Sequence, residues 1–305
     1  MTVETTTTLS DQLSTFYEKV FLDRAQYEFV YNKGGQMRTN PDNEGKAVKF
    51  NRLSPLSIST ATLTEGTNPS EVSLTTATVT ATLGEYGQTV RKSKFASLTL
   101  IDANDKEVVE VVGQNMGETL DQLTRDELFT GATSQIVAGK ALSLVAASDV
   151  LTVAEIRKAV RTLEANKARR YSGYYYMKTS PYPQYDLQGD SNWVNASIYR
   201  DSDDRVKTGA LGEIFGVRLW VSKNPKVEAS GASSANAYSN FIHGDSSFGC
   251  YDLSKDTPKL YIVPHTQVDS GNSTGRFSLI SWAGAYVCKT LNANWLVNIK
   301  TGATQ

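Results

Sequence analysis

From Asp105 to Phe129 apolar residues recur at alternating steps of three and four: Val109, Val112, Met116, Leu120 and Leu123. That spacing lays a stripe along one face and predicts a single long helix over the run. Glu107, Glu110, Gln114, Glu118, Gln122 and Arg125 fill the other faces, and no proline interrupts them. Gly113 and Gly117 each cost about 1 kcal/mol relative to alanine, so packing rather than propensity must hold the helix. At 1.5 Å per residue the run spans roughly 38 Å, long for a globular helix. It has the dimensions of a spine, with β-patterned sequence before it and mixed sequence after it.

Ahead of the spine, Thr2–Thr8 is polar and low in complexity, an arm with no core of its own. Leu13, Phe16, Tyr17, Val20, Phe21 and Tyr27 then fit a helix capped by Ser10 or Asp11, and Lys33-Gly34-Gly35 breaks it. Val48 and Phe50 alternate with Lys49 and Asn51, and Ala77, Val79, Ala81 and Leu83 alternate with threonines, which predicts two strands with one apolar face each. Between them Ser54–Ser73 is too polar for a core. A long two-stranded excursion is marginal alone, so it must lie on something: another copy of the chain, or its own domain.

Behind the spine, Val153, Ile156, Val160 and Leu163 predict a second helix, with Thr152 and Glu155 in the pattern of a capping box. Lys167, Arg169 and Arg170 at its end have two readings, a complement to the helix dipole or a nucleic-acid patch. Strand signals follow at Tyr171–Lys178, closed by Pro181 and Pro183, then at Val217–Val221, Phe241–Leu253, Leu260–Val263, Phe277–Ser281 and Ala285–Leu291. Trp295, Val297 and Ile299 give a last strand, expected to return towards the spine. The class is α+β, with a mixed domain over about 149–270 inserted between parts that belong together.

The candidate chemistry is thin. His243 and His265 are the only histidines, and neither stands in a nucleophile or metal motif. Asp201, Asp203 and Asp204 cluster in a polar segment of the kind that is usually solvated. Cys250 and Cys288 lie far apart without a CxxC, which suits small buried residues. Formal charge is −1, from 31 basic and 32 acidic residues, so no bulk field favours nucleic acid or an anionic membrane. No apolar run approaches the length of a membrane span, and the polar start lacks the features of a signal peptide. These features predict a non-enzymatic chain of the cytoplasm, with no cofactor and no metal.

The order of parts resembles the Hong Kong phage-type capsid fold of tailed-phage major capsid proteins, closest to the family named for coliphage N-four. The resemblance rests on Gly45-Lys46 with the strand through Phe50 and Arg52, on Leu63-Thr64-Glu65-Gly66 with Pro69, and on the strand from Thr75 to Leu83 followed by Tyr86-Gly87. Thr119-Leu120-Asp121 in the spine and Gly216-Val217-Arg218 complete it. It implies an N-terminal arm and helix (1–44), an extended β-hairpin loop (45–90), a peripheral domain with the spine helix (91–148), an axial domain (149–270) and C-terminal strands returning to the peripheral domain (271–305).

The implied function is a virion subunit, assembled in the host cytoplasm as hexamers and pentamers into an icosahedral head around double-stranded DNA. An encapsulin-like compartment is the alternative. Implied partners are other copies of the chain, packaged DNA bound without sequence specificity, a portal, a decoration protein and a separate scaffolding protein. The last is expected because no fused scaffolding segment precedes the arm. No residue matches the partners of the isopeptide cross-link found in some members. On this reading Val48, Phe50, Ile58, Leu63, Leu74 and Val79 make apolar contacts between subunits, and Lys46, Lys49, Arg52, Glu65 and Glu71 set register by charge.

Overall fold

A computed structural model describes residues 10–40, 45–54, 56–60, 62–69, 71–99, 105–193, 212–254, 256–267 and 271–304. The first part comprises α1 (Ser10–Glu28), β1 (Gln36–Asn40), β2 (Ala47–Leu53), β3 (Thr76–Thr82), β4 (Gly84–Ser93), α2 (Lys94–Thr99), α3 (Asp105–Gly131) and β5 (Thr133–Ile136). Then come α4 (Val153–Ala165), β6 (Tyr175–Thr179), α5 (Pro181–Gly189), β7 (Glu213–Ile214), β8 (Val217–Val221), β9 (Val227–Glu228) and β10 (Ala237–His243). Last are β11 (Phe248–Leu253), β12 (Lys259–Val263), β13 (Phe277–Thr290) and β14 (Leu296–Thr301).

The spine is α3. Val109, Val112, Met116 and Leu120 are buried as its stripe requires, each contributing about 2 kcal/mol, and Leu123 packs at the margin. The buried sector is wider than the apolar stripe, because Asp121, Thr124 and Arg125 are buried too. Gly113 explains its own cost: a Cβ there would lie 2.7 Å from the carbonyl oxygen of Phe21, so its absence lets α1 press against the spine. Phe21 and Ala25 of α1 fill that contact.

Beneath the spine lies a five-stranded sheet in the order β1-β11-β13-β12, with β4 also on β13. β13 is its axis, antiparallel to β11, β12 and β4. It runs unbroken where two strands were expected, since Ala283 and Gly284 pair straight through with Gly87 and Tyr86. β1 has no apolar alternation to announce it; parallel pairing with β11 makes it a strand. Trp282, Ile280, Phe248 and Tyr286 close the core between sheet and spine.

The second sheet has the order β5-β14-β10-β6-β8-β7, with β9 on β10. Ile156, Leu163, Met177, Val217, Ile242, Val297 and Ile299 pack α4 onto it. Its membership differs from a contiguous 149–270 unit. It takes β5 from before that range and β14 from after it, and β11 and β12 leave to join the sheet under α3. The reason is burial: Val297 and Ile299 find their apolar partners on α4 and β10, so the last strand enters this sheet, while Leu296 packs in the core under the spine and Lys300 lies over the Phe129 ring of α3.

Two local expectations also change. Thr152 stands at the N-cap of α4, but its side chain caps nothing, and Asp190 Oδ2 instead accepts the Val153 N–H at 2.9 Å. Pro181 opens α5 at the first helical turn, where its missing N–H costs nothing.

Candidate functional site

β2 and β3 form a two-stranded antiparallel hairpin, Val48 opposite Ala81 and Phe50 opposite Val79. Alternation puts those four residues on one face. That face is covered by this same chain: Val48, Phe50 and Ala81 are buried with Tyr251 of β11, and Val79, Leu83, Val287 and Leu291 pack around them. Phe50 meets Tyr251 edge-to-face, ring centroids 4.6 Å apart. The expectation that Val48 and Phe50 offer apolar surface to another subunit is therefore corrected, with Val79 half-buried beside them. The apolar face of a strand packs on the nearest apolar surface, and here that is β11.

Beyond Leu53 the chain leaves its own core. From Leu56 to Thr78 every residue whose exposure is described is exposed, including Ile58 at 82%, Leu63 at 69% and Leu74 at 61%. Leu53, Leu56 and Val72 add to the same apolar group. Lys46, Lys49, Arg52, Glu65 and Glu71 are exposed along the hairpin. The Ser54 N–H donates to Thr75 O at 2.9 Å, and Thr67 N–H to Thr64 O at 3.1 Å, which shapes the tip without covering it. Single exposed leucines are ordinary; six large apolar side chains exposed on one element are the kind of feature that marks a contact.

The residues that chemistry would need are enclosed. His243 is fully buried, its ring between Tyr176 and Phe248, with Nδ1 3.1 Å from Gly244 O; burial holds it well below the usual imidazole range. His265 lies in a turn after Pro264. Cys250 and Cys288 are free thiols facing each other across β11 and β13, sulfurs 3.3 Å apart. Asp201, Asp203 and Asp204 fall outside the described residues. Among the described residues no three His, Cys, Asp or Glu gather as metal ligands, and no helix is long and apolar enough to cross a membrane.

The polar residues missed by the helical stripe serve the junction between the two sheets. Asp121 Oδ1 accepts the N–H groups of Val30 at 2.9 Å and Tyr31 at 2.6 Å, and burial raises its carboxyl to about 6 despite them. Lys178 of β6 donates to Tyr31 O and lies 4.4 Å from the Phe248 ring; burial lowers its amine to about 7. Arg125 donates to the carbonyls of Asn224 and Pro225, while Lys226 pairs with Asp126 at 3.0 Å. A cleft of about 280 Å³ beside them is lined by Lys33, Glu118, Asp121, Trp220 and Asn224. These groups fasten spine, α1–β1 loop and second sheet together. None is arranged as a nucleophile with its base.

No protein-family model and no curated protein matches the sequence. Solved structures do. The chain is similar to the capsid of cyanophage P-SCSP1u with a TM-score of 0.70 at 13% identity, over 90% of this chain and 89% of that one. The capsid of Ralstonia phage GP4 gives 0.70 at 15%, over 92% and 91%. A virus-like particle from Pyrococcus furiosus gives 0.54 at 10%, over 94% and 99%. The fold is the Hong Kong phage-type capsid fold, a mixed α+β architecture shared by shell-forming subunits.

Proposed function

We propose that the chain is the major capsid protein of a tailed phage, of the family named for coliphage N-four. It assembles as hexamers and pentamers into an icosahedral head around double-stranded DNA, in the host cytoplasm, and remains in the virion. The observation that carries this reading is the hairpin: its base is anchored in the subunit's own core and its tip presents Ile58, Leu63 and Leu74 to solvent. A surface of that kind marks a contact with a neighbour. In the shell the tip lies on an adjacent copy, with Lys46, Lys49, Arg52, Glu65 and Glu71 fixing register and the apolar residues supplying area. The sheet beneath α3 is the peripheral domain, and the sheet carrying α4 is the axial domain. A separate scaffolding protein, a portal and a decoration protein complete the assembly.

Electron microscopy of the purified chain, alone and with its scaffolding partner, tests this. Closed shells of uniform diameter or flat hexameric sheets are expected; a persistent monomer or dimer in both conditions overturns it. The likeness to the Pyrococcus furiosus particle supports a second reading, an encapsulin-like shell around protein cargo. Shells recovered with DNA support the first reading, and shells recovered with an enzyme inside support the second.

A further inference from the structure

α4 carries charge that the fold does not use. Val153, Ile156, Ala159, Val160 and Leu163 are buried against the second sheet, while Arg157, Lys158 and Arg161 point outward. Lys167, Arg169 and Arg170 are exposed just beyond. Six basic and two acidic residues lie between Glu155 and Arg170, a net of four positive charges in a chain of formal charge −1. Both acids are already engaged: Glu155 is buried and pairs with Lys158 at 2.7 Å, and Glu164 pairs with Arg170. Arg157, Arg161, Lys167 and Arg169 have no carboxylate partner among the described residues, and Arg157 lies over the exposed Phe215 ring at 5.3 Å.

Helix capping does not account for Arg157 and Arg161, because the last turn of α4 contains no basic residue and both lie before it. The helix stops by other means. Ala168 N–H donates to Leu163 O and Lys167 N–H to Glu164 O, both at 2.9 Å, the bond pair of a left-handed stop. Lys167 occupies the left-handed position with φ 53°, where glycine is unstrained and a lysine is not. Keeping a cation there at a backbone cost points to a use for the cation. Asn166 beside it is tied to the 293–295 turn, its Nδ2 donating to Asn294 O at 3.0 Å and its carbonyl accepting from Trp295 Nε1 at 3.1 Å, so the patch is held at a fixed place on the fold.

We propose that the face formed by Arg157, Arg161, Lys167 and Arg169 binds the phosphate backbone of double-stranded DNA. The choice of DNA as the polyanion rests on the shell reading. Cations facing phosphates give contacts without sequence information, and four per subunit give weak binding that salt readily weakens further. Repeated over a shell, such contacts order DNA near the wall and still release it.

The test is fluorescence anisotropy of the full-length chain, below its assembly concentration, with a random-sequence duplex between 50 and 300 mM KCl. The plot of log K against log salt should have a slope of about −3.6, falling to about −1.8 in R157Q/R161Q. K167G should reduce the slope by about one unit while raising Tm by about 2 °C, which separates lost contact from lost folding. Slopes unchanged in both variants overturn the proposal, as does a wild-type chain that leaves the duplex free at 50 mM salt. Variants that lose closed shells with an unchanged DNA slope overturn it too, and assign the face to contact between copies. The shell reading is scored separately, by microscopy of the wild-type chain.

Discussion

Lys178 concentrates the residue-scale physics of this protein. Folding buries its amine completely, and its value falls from 10.5 to about 7 because desolvation opposes the charge. Between those two values the unfolded chain holds a proton that the folded chain has released, so stability must rise with pH across that window. It is flat below about 7 and above about 10.5. The total gain is on the order of 5 kcal/mol. Lys178→Met should abolish this rise, which urea unfolding of wild type and variant at pH 7 and pH 10 measures. A difference in pH slope between the two proteins is expected; parallel slopes would mean that Lys178 stays charged inside. Nothing in the sequence around Lys178 announces this, since its partners Tyr31 and Asp121 are remote along the chain. The same is true of Arg125, which reads as a solvent-facing helical residue until the carbonyls of Asn224 and Pro225 are placed against it. A helical period reports the apolar stripe of α3 faithfully because that signal is local. A buried charge is justified only by distant partners.

At the scale of elements, the hairpin divides into two functions along its length. Phe50→Ala removes an aromatic side chain from a cluster inside the subunit and should destabilise the isolated chain by about 3 kcal/mol in denaturant unfolding. Ile58→Asp touches nothing in its own core and should change that stability by less than about 0.5 kcal/mol while preventing shell formation. Sedimentation and denaturation of the same two variants check both halves of this contrast. The two strands were legible because alternation over β2 and β3 is strict. Which surface their apolar face would meet was not legible, because Tyr251 lies some two hundred residues along the chain and alternation names a face without naming its partner. The cap of α4 was missed for a like reason. Thr152 and Glu155 satisfy a local pattern, yet Glu155 is taken up by Gln135, Ala138 and Lys158, and Asp190 arrives from the end of α5 to do the capping.

Across the whole molecule, the chain passes between its two sheets several times, through α3 into β5, from β10 into β11, and from β13 into β14. Neither sheet is a continuous stretch of sequence. A fragment spanning 149–270 would carry β10 without β14, and so with a long unpaired edge, together with β11 and β12 stripped of β13. It should fail to give protected amides in hydrogen exchange, whereas the full chain should unfold in one calorimetric transition. A cooperatively folded fragment would contradict this. The order of first helix, hairpin, spine and mixed region was readable from composition shifts; the polar arm at Thr2–Thr8 lies outside the described residues. The crossing of strands was not, because each strand's sequence states how much of it is buried and leaves open beside which neighbour. One ladder also sets how the fold bears load. β4, continuous with the hairpin, pairs with β13 from Gly84 against Tyr286 to Ser93 against Phe277. A pull on the hairpin along its strands meets those bonds side by side, in shear, and cannot peel them one after another. The tip is a handle on a seam that tightens all at once, and in the proposed shell tension from a neighbouring copy would be delivered to the core beneath α3.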